Sequence, residues 1–216
     1  GGTLRVALDT TLSANGIAGV NFAPNTGSAG TGGLAQVTSS ASGVIQLSSN
    51  LLVSADGRGS NVSGDAIAGN GIGGTARIAG TSGGSVTVTG TASFESSQAD
   101  VDIVVDQLEV TGSIGVTTGT TGNATVLNAS AVDLAASTVG GNLDVTANEG
   151  GITASSDVDV TGTAKFTVAD QQSILLDSAG NTFDAGVTFV ASAGQIADIT
   201  LVDTTAVDLA ALDITG

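Results

Sequence analysis

Five carboxylates are the side chains of this sequence best placed to do chemistry: Asp157 with Asp159 in SSDVDVTG, and Asp100, Asp102 and Asp106 in a second group. Paired carboxylates serve glycoside hydrolysis, one as acid and the other as base or nucleophile. Other common devices are missing, because the 216 residues include no His, Cys or Tyr. Imidazole bases, thiolate nucleophiles and Ser–His–Asp triads are therefore excluded. A carboxylate enzyme acting on an acidic polysaccharide also needs cations beside its substrate. The basic residues are Arg5, Arg58, Arg77 and Lys165, and they are dispersed along the chain. If Val158 and Val160 face inward, Asp157 and Asp159 face outward together, as a solvated acidic face does. The chain is read as a non-enzyme with no catalytic residue assigned. A β-helix polysaccharide-degrading enzyme using outward Asp pairs is the alternative.

Oxygen-rich turns raise the question of metal. GRGSNVSGDAIAGNGIGG, from Gly57, is similar to a Gly-rich calcium-binding nonapeptide repeat. That repeat needs an Asp at a fixed place in successive copies. Asn61 fills the place once, and Asp65 falls out of register. The segment reads as turn residues, with a calcium-binding solenoid kept as a further alternative. Thr87 with Thr89, and Thr161 with Thr163, have the spacing of an ice-binding row. Neither row continues from coil to coil, and outward Thr is ordinary on a strand surface; an ice-binding solenoid is kept beside the calcium-binding one as an alternative. Sugar sites commonly use aromatic platforms, and Trp and Tyr are absent. No cofactor-binding or metal-binding residue is assigned, and no cofactor is expected.

Charge narrows the partners. Twenty acidic and four basic residues give a formal net charge of −16. Nucleic acid requires clustered cations to neutralise phosphates, so that partner is excluded. Attraction to anionic lipid fails for the same reason. No run approaches the roughly 18 apolar residues of a membrane helix, so no membrane insertion is expected. The opening GGTLRVALDT has no cationic start followed by an apolar core, hence no secretion signal. It also lacks an initiator Met, and the simplest reading is a mature or excised piece of a longer protein. The absence of Cys rules out disulfides but assigns no redox compartment.

These residues must be held by strands. Hydrophobic residues are 41% of the chain while aromatics are 2%, all of them Phe. The apolar content is thus mostly Ala, Val, Ile and Leu, which suits thin buried layers. Alternation at period two recurs: Val86 and Val88, Leu143 and Val145, Val158 and Val160, and Leu212 and Ile214 each share one face. Gly-rich corners separate Ile67, Ile72, Ile78 and Val86. Helix formers in an apolar helical period are lacking.

Repeats decide between a hairpin sandwich and a solenoid. VTGTASF starts at Val88 and VTGTAKF at Val160, an offset of 72 (160 − 88). AVDLA starts at Ala131 and again at Ala206, an offset of 75 (206 − 131). Aligned more fully, TVLNASAVDLA matches TLVDTTAVDLA, with Asn128 replaced by Asp203. The second copy carries a three-residue insertion, as a surface turn permits. A period of 72–75 divides into about four coils of roughly 19 residues, with three short strands each. The expected fold is all-β: one right-handed parallel β-helix (β-solenoid) over residues 1–216. Residues 1–80 form Gly-rich irregular coils and residues 81–216 the two longer repeats. Some 10–12 coils at about 4.8 Å make a rod of roughly 50 Å. Phe94 and Phe166 share a repeat position and are expected to face inward.

The segment AVDLAASTVGGNLDVTANEGGITASSDVDVTGTAKFTVADQQSILLDSAGNTFDAGVTF, from Ala131, resembles the large filamentous-haemagglutinin-like exoproteins of Gram-negative bacteria. GGTARIAGTSGGSVTVTGTASF looks like the Gly-rich stretches of the same proteins, and the resemblance covers roughly residues 60–216. It implies a right-handed parallel β-helix exported to the cell surface and used for adhesion or as an extracellular fibre. Open strand edges at a solenoid's ends could template another chain. Either more of the parent chain continues the rod, which the missing Met and signal favour, or copies stack end to end into a filament; a host or cell-surface glycan or protein is the other expected partner.

Overall fold

The computed structural model describes residues 3–8, 10–13, 16–17, 30–31, 34–39, 44–49, 51–54, 57–58, 71–72, 75–80, 85–96 and 102–211. Among these residues there are strands and turns and no helix. All strand pairs are parallel, and each strand pairs with strands one turn earlier or later. The chain is a parallel β-solenoid.

Two kinds of turn build it. The first holds five strands: β1 (Thr3–Val6), β2 (Thr10–Ser13), β3 (Gly16–Ile17), β4 (Gly30–Thr31) and β5 (Leu34–Ser39). The same five return as β6 (Val44–Leu47), β7 (Leu51–Ser54), β8 (Gly57–Arg58), β9 (Gly71–Ile72) and β10 (Thr75–Gly80). Thr3 pairs with Val44 and Leu34 with Thr75, so these wide turns have an offset of 41 (44 − 3). After β11 (Ser85–Val88) and β12 (Ala92–Glu95) the turns narrow. The eight-residue β13 (Ile103–Val110) marks the change: its start pairs with β10 and its end with β11. It is followed by β14 (Ser113–Thr117).

From there each turn carries three short strands. They are β15 (Ala124–Asn128), β16 (Val132–Leu134) and β17 (Ser137–Val139); then β18 (Leu143–Ala147), β19 (Ile152–Ala154) and β20 (Val158–Val160). Next come β21 (Ala164–Val168), β22 (Ile174–Leu176) and β23 (Thr182–Phe183); the last described full turn holds only β24 (Val187–Ala191) and β25 (Ile199–Leu201), and β26 (Leu209–Ala211), which pairs with β24, begins the next. One sheet runs β1-β6-β11-β13-β15-β18-β21-β24-β26, and β2-β7-β12-β14 begin the other. The second sheet forks above β14, whose first residues pair with β16 and whose last pairs with β17. The result is a three-sided cross-section. Nine strands deep at about 4.8 Å, the first sheet spans about 40 Å. That is shorter than 10–12 coils require, because each wide turn consumes about two narrow turns' worth of chain.

Turn length corrects the coil expected from the repeats. The step from Ala124 to its partner Leu143 is 19 (143 − 124), as expected. The step from Ile174 to Ile199 is 25 (199 − 174), and the coil averages about 22. The ladder fixes the strands, so the length varies at the corners. The longest step carries the exposed corner Ser192–Gln195.

The repeated words do not mark whole turns. In VTGTASF, Val88 lies in the first sheet and Phe94 in the second; in VTGTAKF, Val160 lies in the second and Phe166 in the first. The two AVDLA words are likewise divided between β16 and β26. The interval is about three and a half turns. What repeats is a corner: an inward Val, a Thr whose N–H bonds back to the previous turn, and a Gly. Thr89 N donates to Leu47 O (2.9 Å) and Thr161 N to Val139 O (3.0 Å), and a third VTG, at 110–112, does the same through Thr111 N on Val88 O (3.0 Å). A Cβ on Gly112 would strike the Gly90 carbonyl, and one on Gly162 the Gly141 carbonyl, so glycine allows the turns to approach there.

Like side chains pile into columns. Ile103, Ala124, Leu143, Ala164 and Val187 form one, and Leu51, Ala92, Ile114, Leu134 and Ala154 another; all are buried. Phe94 and Phe166 are both fully buried, as their alternation required, but in different sheets. Phe166 joins the two sides. Its ring meets Phe183 edge-on at 6.0 Å and stacks on Phe189 at 5.9 Å. Leu212 and Ile214, like Ile67, lie outside the described residues.

Candidate functional site

Of the carboxylates that could do chemistry, Asp102, Asp157 and Asp159 sit on the outer surface and bond to the next turn. Asp157 precedes β20 and Asp159 lies within it, alternating with the buried Val158 and Val160. Asp157 Oδ1 accepts from the Ser178 hydroxyl and from Gly180 N (3.2 Å), both one turn on. Asp159 Oδ1 accepts from Thr182 Oγ1 at 2.7 Å, also one turn on. Asp133 follows the same rule, taking Thr153 Oγ1 (3.1 Å) and Ser155 N (3.0 Å). Charged acceptors strengthen such bonds beyond neutral ones.

Asp102 heads a longer chain of contacts. Its Oδ1 accepts from Asn123 N (2.8 Å) and Asn123 Nδ2 (3.0 Å). Asn123 Oδ1 in turn accepts from Asn142 N (2.8 Å), and Asn142 Oδ1 from Thr163 N and Thr163 Oγ1 (both 2.9 Å). One corner of four successive turns is thereby clasped by a side-chain ladder, running from a carboxylate to a hydroxyl. Asp106 falls in β13 where the register shifts between Val105 and Leu108, and Asp100 lies outside the described residues. The structure therefore does not bring the three into one described cluster.

Two asparagines not predicted from the sequence hold the interior. Asn128 and Asn181 are both fully buried. Asn128 Oδ1 accepts from Val110 N (2.9 Å), while its Nδ2 donates to Val110 O (3.1 Å) and Ala131 O (2.6 Å). Asn181 Oδ1 accepts from Val158 N (2.9 Å) and its Nδ2 donates to Leu176 O (3.1 Å). Each satisfies backbone groups where the strand bends and the ladder cannot. Asp203, the counterpart of Asn128 in the second copy, keeps the acceptor half of the role: its Oδ1 takes Phe183 N at 3.2 Å. It is half-buried and bonds to Thr205 instead of to carbonyls. A sequence signal for Asn128 exists, since it occupies the inward phase set by Ala124 and Val126.

The remaining candidates separate. Thr87 lies in register with Gln46 and Glu109, so no threonine row forms there. Thr161 is a corner residue and Thr163 ends the ladder from Asp102. Asn61 and Asp65 lie outside the described residues. Lys165 pairs with Asp144 at 3.3 Å, with both side chains nearly half exposed, a geometry worth about 0–1 kcal/mol. Among the described residues no group of three or more carboxylates could hold a metal ion, and no helix is long and apolar enough to cross a membrane.

A family model described as repeats of unknown function (DUF5649) matches residues 121–190. The match covers the narrow turns from β15 to β24. Comparison with curated proteins and with solved structures gives no match.

Proposed function

We propose that this chain is a structural rod segment of an exported bacterial surface adhesin or extracellular fibre, a rigid acidic scaffold for adhesion or assembly. The observation that carries this reading is the use made of its polar side chains. Asp102, Asp133, Asp157 and Asp159 each accept a hydrogen bond from the following turn, so groups capable of chemistry are engaged in holding turns together. The aliphatic columns and parallel ladders give a body whose stability is a sum of contacts between neighbouring turns. A net charge of −16 keeps such rods apart in solution. The resemblance to filamentous-haemagglutinin-like exoproteins supplies the setting at the cell surface.

The test is immunogold labelling of intact producing cells with antibody raised against this chain. Label along surface projections is expected. Label confined to lysed cells, or release of oligosaccharide from an acidic glycan panel by the purified chain, would overturn the reading.

A further inference from the structure

We propose that the narrow turns withstand proteases whose specificity pocket takes a basic or an aromatic side chain, so that the rod persists where such enzymes act. The proposal deepens the rod reading above and rests on it for its biological setting. Folded chains are cut first at exposed corners and loop tips. A trypsin-like or chymotrypsin-like pocket then selects the residue before the bond that breaks. From residue 102 onward the basic and aromatic residues are Lys165, Phe166, Phe183 and Phe189. All four lie inside strands: Lys165 and Phe166 in β21, Phe183 in β23 and Phe189 in β24. The corners are made of other residues. Residues 140–142 read GGN, 148–151 NEGG, 161–163 TGT, 169–173 ADQQS, 177–181 DSAGN and 192–198 SAGQIAD. Where a protease has access, its pocket finds nothing to hold.

Lys165 combines an accessible head with a held backbone. Its side chain is nearly half exposed, with Asp144 at 3.3 Å. A bound peptide that joins another chain as an extended strand does so through free main-chain groups, and β21 has no free edge to offer. Lys165 and Phe166 pair with Asp144 and Val145 of β18 on one side, and with Thr188 and Phe189 of β24 on the other. Phe166, on the far side of the bond to be cut, is fully buried. Freeing this segment means separating β21 from two turns at once. Phe183 and Phe189 are 1% and 7% exposed, so their rings reach a pocket only after a similar opening. Residues that could be recognised are thus confined to strands, and accessible corners carry residues that are not.

The experiment digests the full chain with trypsin and identifies the broken bonds by mass spectrometry. Cuts after Arg5, Arg58 and Arg77 leave residues 78–216 in one piece, and that piece should persist. The bond after Lys165 should break about 1,000-fold or more slowly than in a synthetic peptide of residues 158–172. Chymotrypsin should likewise spare the bonds after Phe166, Phe183 and Phe189. Ala193→Lys and Glu149→Lys each place a basic residue in an exposed corner. Each variant should be cut at its new lysine about tenfold or more faster than at Lys165. Cleavage after Lys165 in the unmodified chain at a rate near the peptide's overturns the proposal. So does survival of both corner variants, because resistance would then owe nothing to which residues the corners carry. Surface labelling can fail while the digestion result holds, so the two readings fall separately.

Discussion

Replacing Asn128 by Asp tests what the buried amides do. The side chain is fully buried, and its Nδ2 donates to Val110 O at 3.1 Å and Ala131 O at 2.6 Å. An aspartate keeps the acceptor for Val110 N but sets an oxygen against two carbonyl oxygens. Each buried carbonyl left unsatisfied costs about 1–3 kcal/mol, and the repulsion and buried charge add to it. Local relaxation and entry of water offset part of this sum. Asn128→Asp should therefore lose about 4 kcal/mol. The reverse change at the matching place, Asp203→Asn, should lose less than about 1 kcal/mol, because Asp203 is half-buried and the amide oxygen can still accept from Phe183 N and Thr205 N. The assay is urea unfolding followed by far-ultraviolet circular dichroism, with equal denaturant slopes required for the comparison. A cost below about 1 kcal/mol for Asn128→Asp, or equal costs for the two variants, would refute the reasoning.

Phe166→Ala removes a fully buried ring and its contacts with Phe183 and Phe189, and should cost about 4–5 kcal/mol. Hydrogen exchange should place the loss in β18, β21 and β24 and leave β6 and β11 unchanged, as nearest-neighbour coupling demands. Gly162→Ala forces a Cβ against the Gly141 carbonyl and Asn142 Oδ1, and should cost about 1–3 kcal/mol in the same unfolding assay. Thr167 Oγ1 is buried without a hydrogen-bond partner, so Thr167→Val should be neutral or stabilise by up to about 1 kcal/mol.

The inward face of nearly every narrow turn was legible in the sequence. Val158 and Val160 are buried and Asp157 and Asp159 point outward because period-two alternation leaves no other arrangement. Three short strands per turn were expected too, from dividing the repeat interval into coils, and β15 to β23 follow that plan. Turn length was not legible. VTGTASF and VTGTAKF look like one period, but the corner they encode works equally well between either pair of faces, so copies half a turn out of phase read alike. The wide turns were hidden because Gly-rich stretches contain few alternating aliphatics to phase them. The inter-turn bonds of Asp102, Asp133 and Asp157 were hidden for another reason. Their partners, such as Asn123, Ser155 and Ser178, are about one turn away, and finding them needs the offset that only the ladder supplies.

The stacking of successive turns in parallel register can be tested with cysteine pairs, since the chain contains no cysteine of its own. Asp144 and Lys165 are register partners on adjacent strands, whereas Thr125 and Lys165 are separated by one intervening strand. Adjacent parallel strands lie about 4.8 Å apart, within the Cα range of a disulfide, and twice that distance lies outside it. Under mild oxidation Asp144→Cys with Lys165→Cys should cross-link nearly completely, and Thr125→Cys with Lys165→Cys should not. Failure of the first pair together with bridging of the second would contradict the stacked solenoid on which the whole account stands.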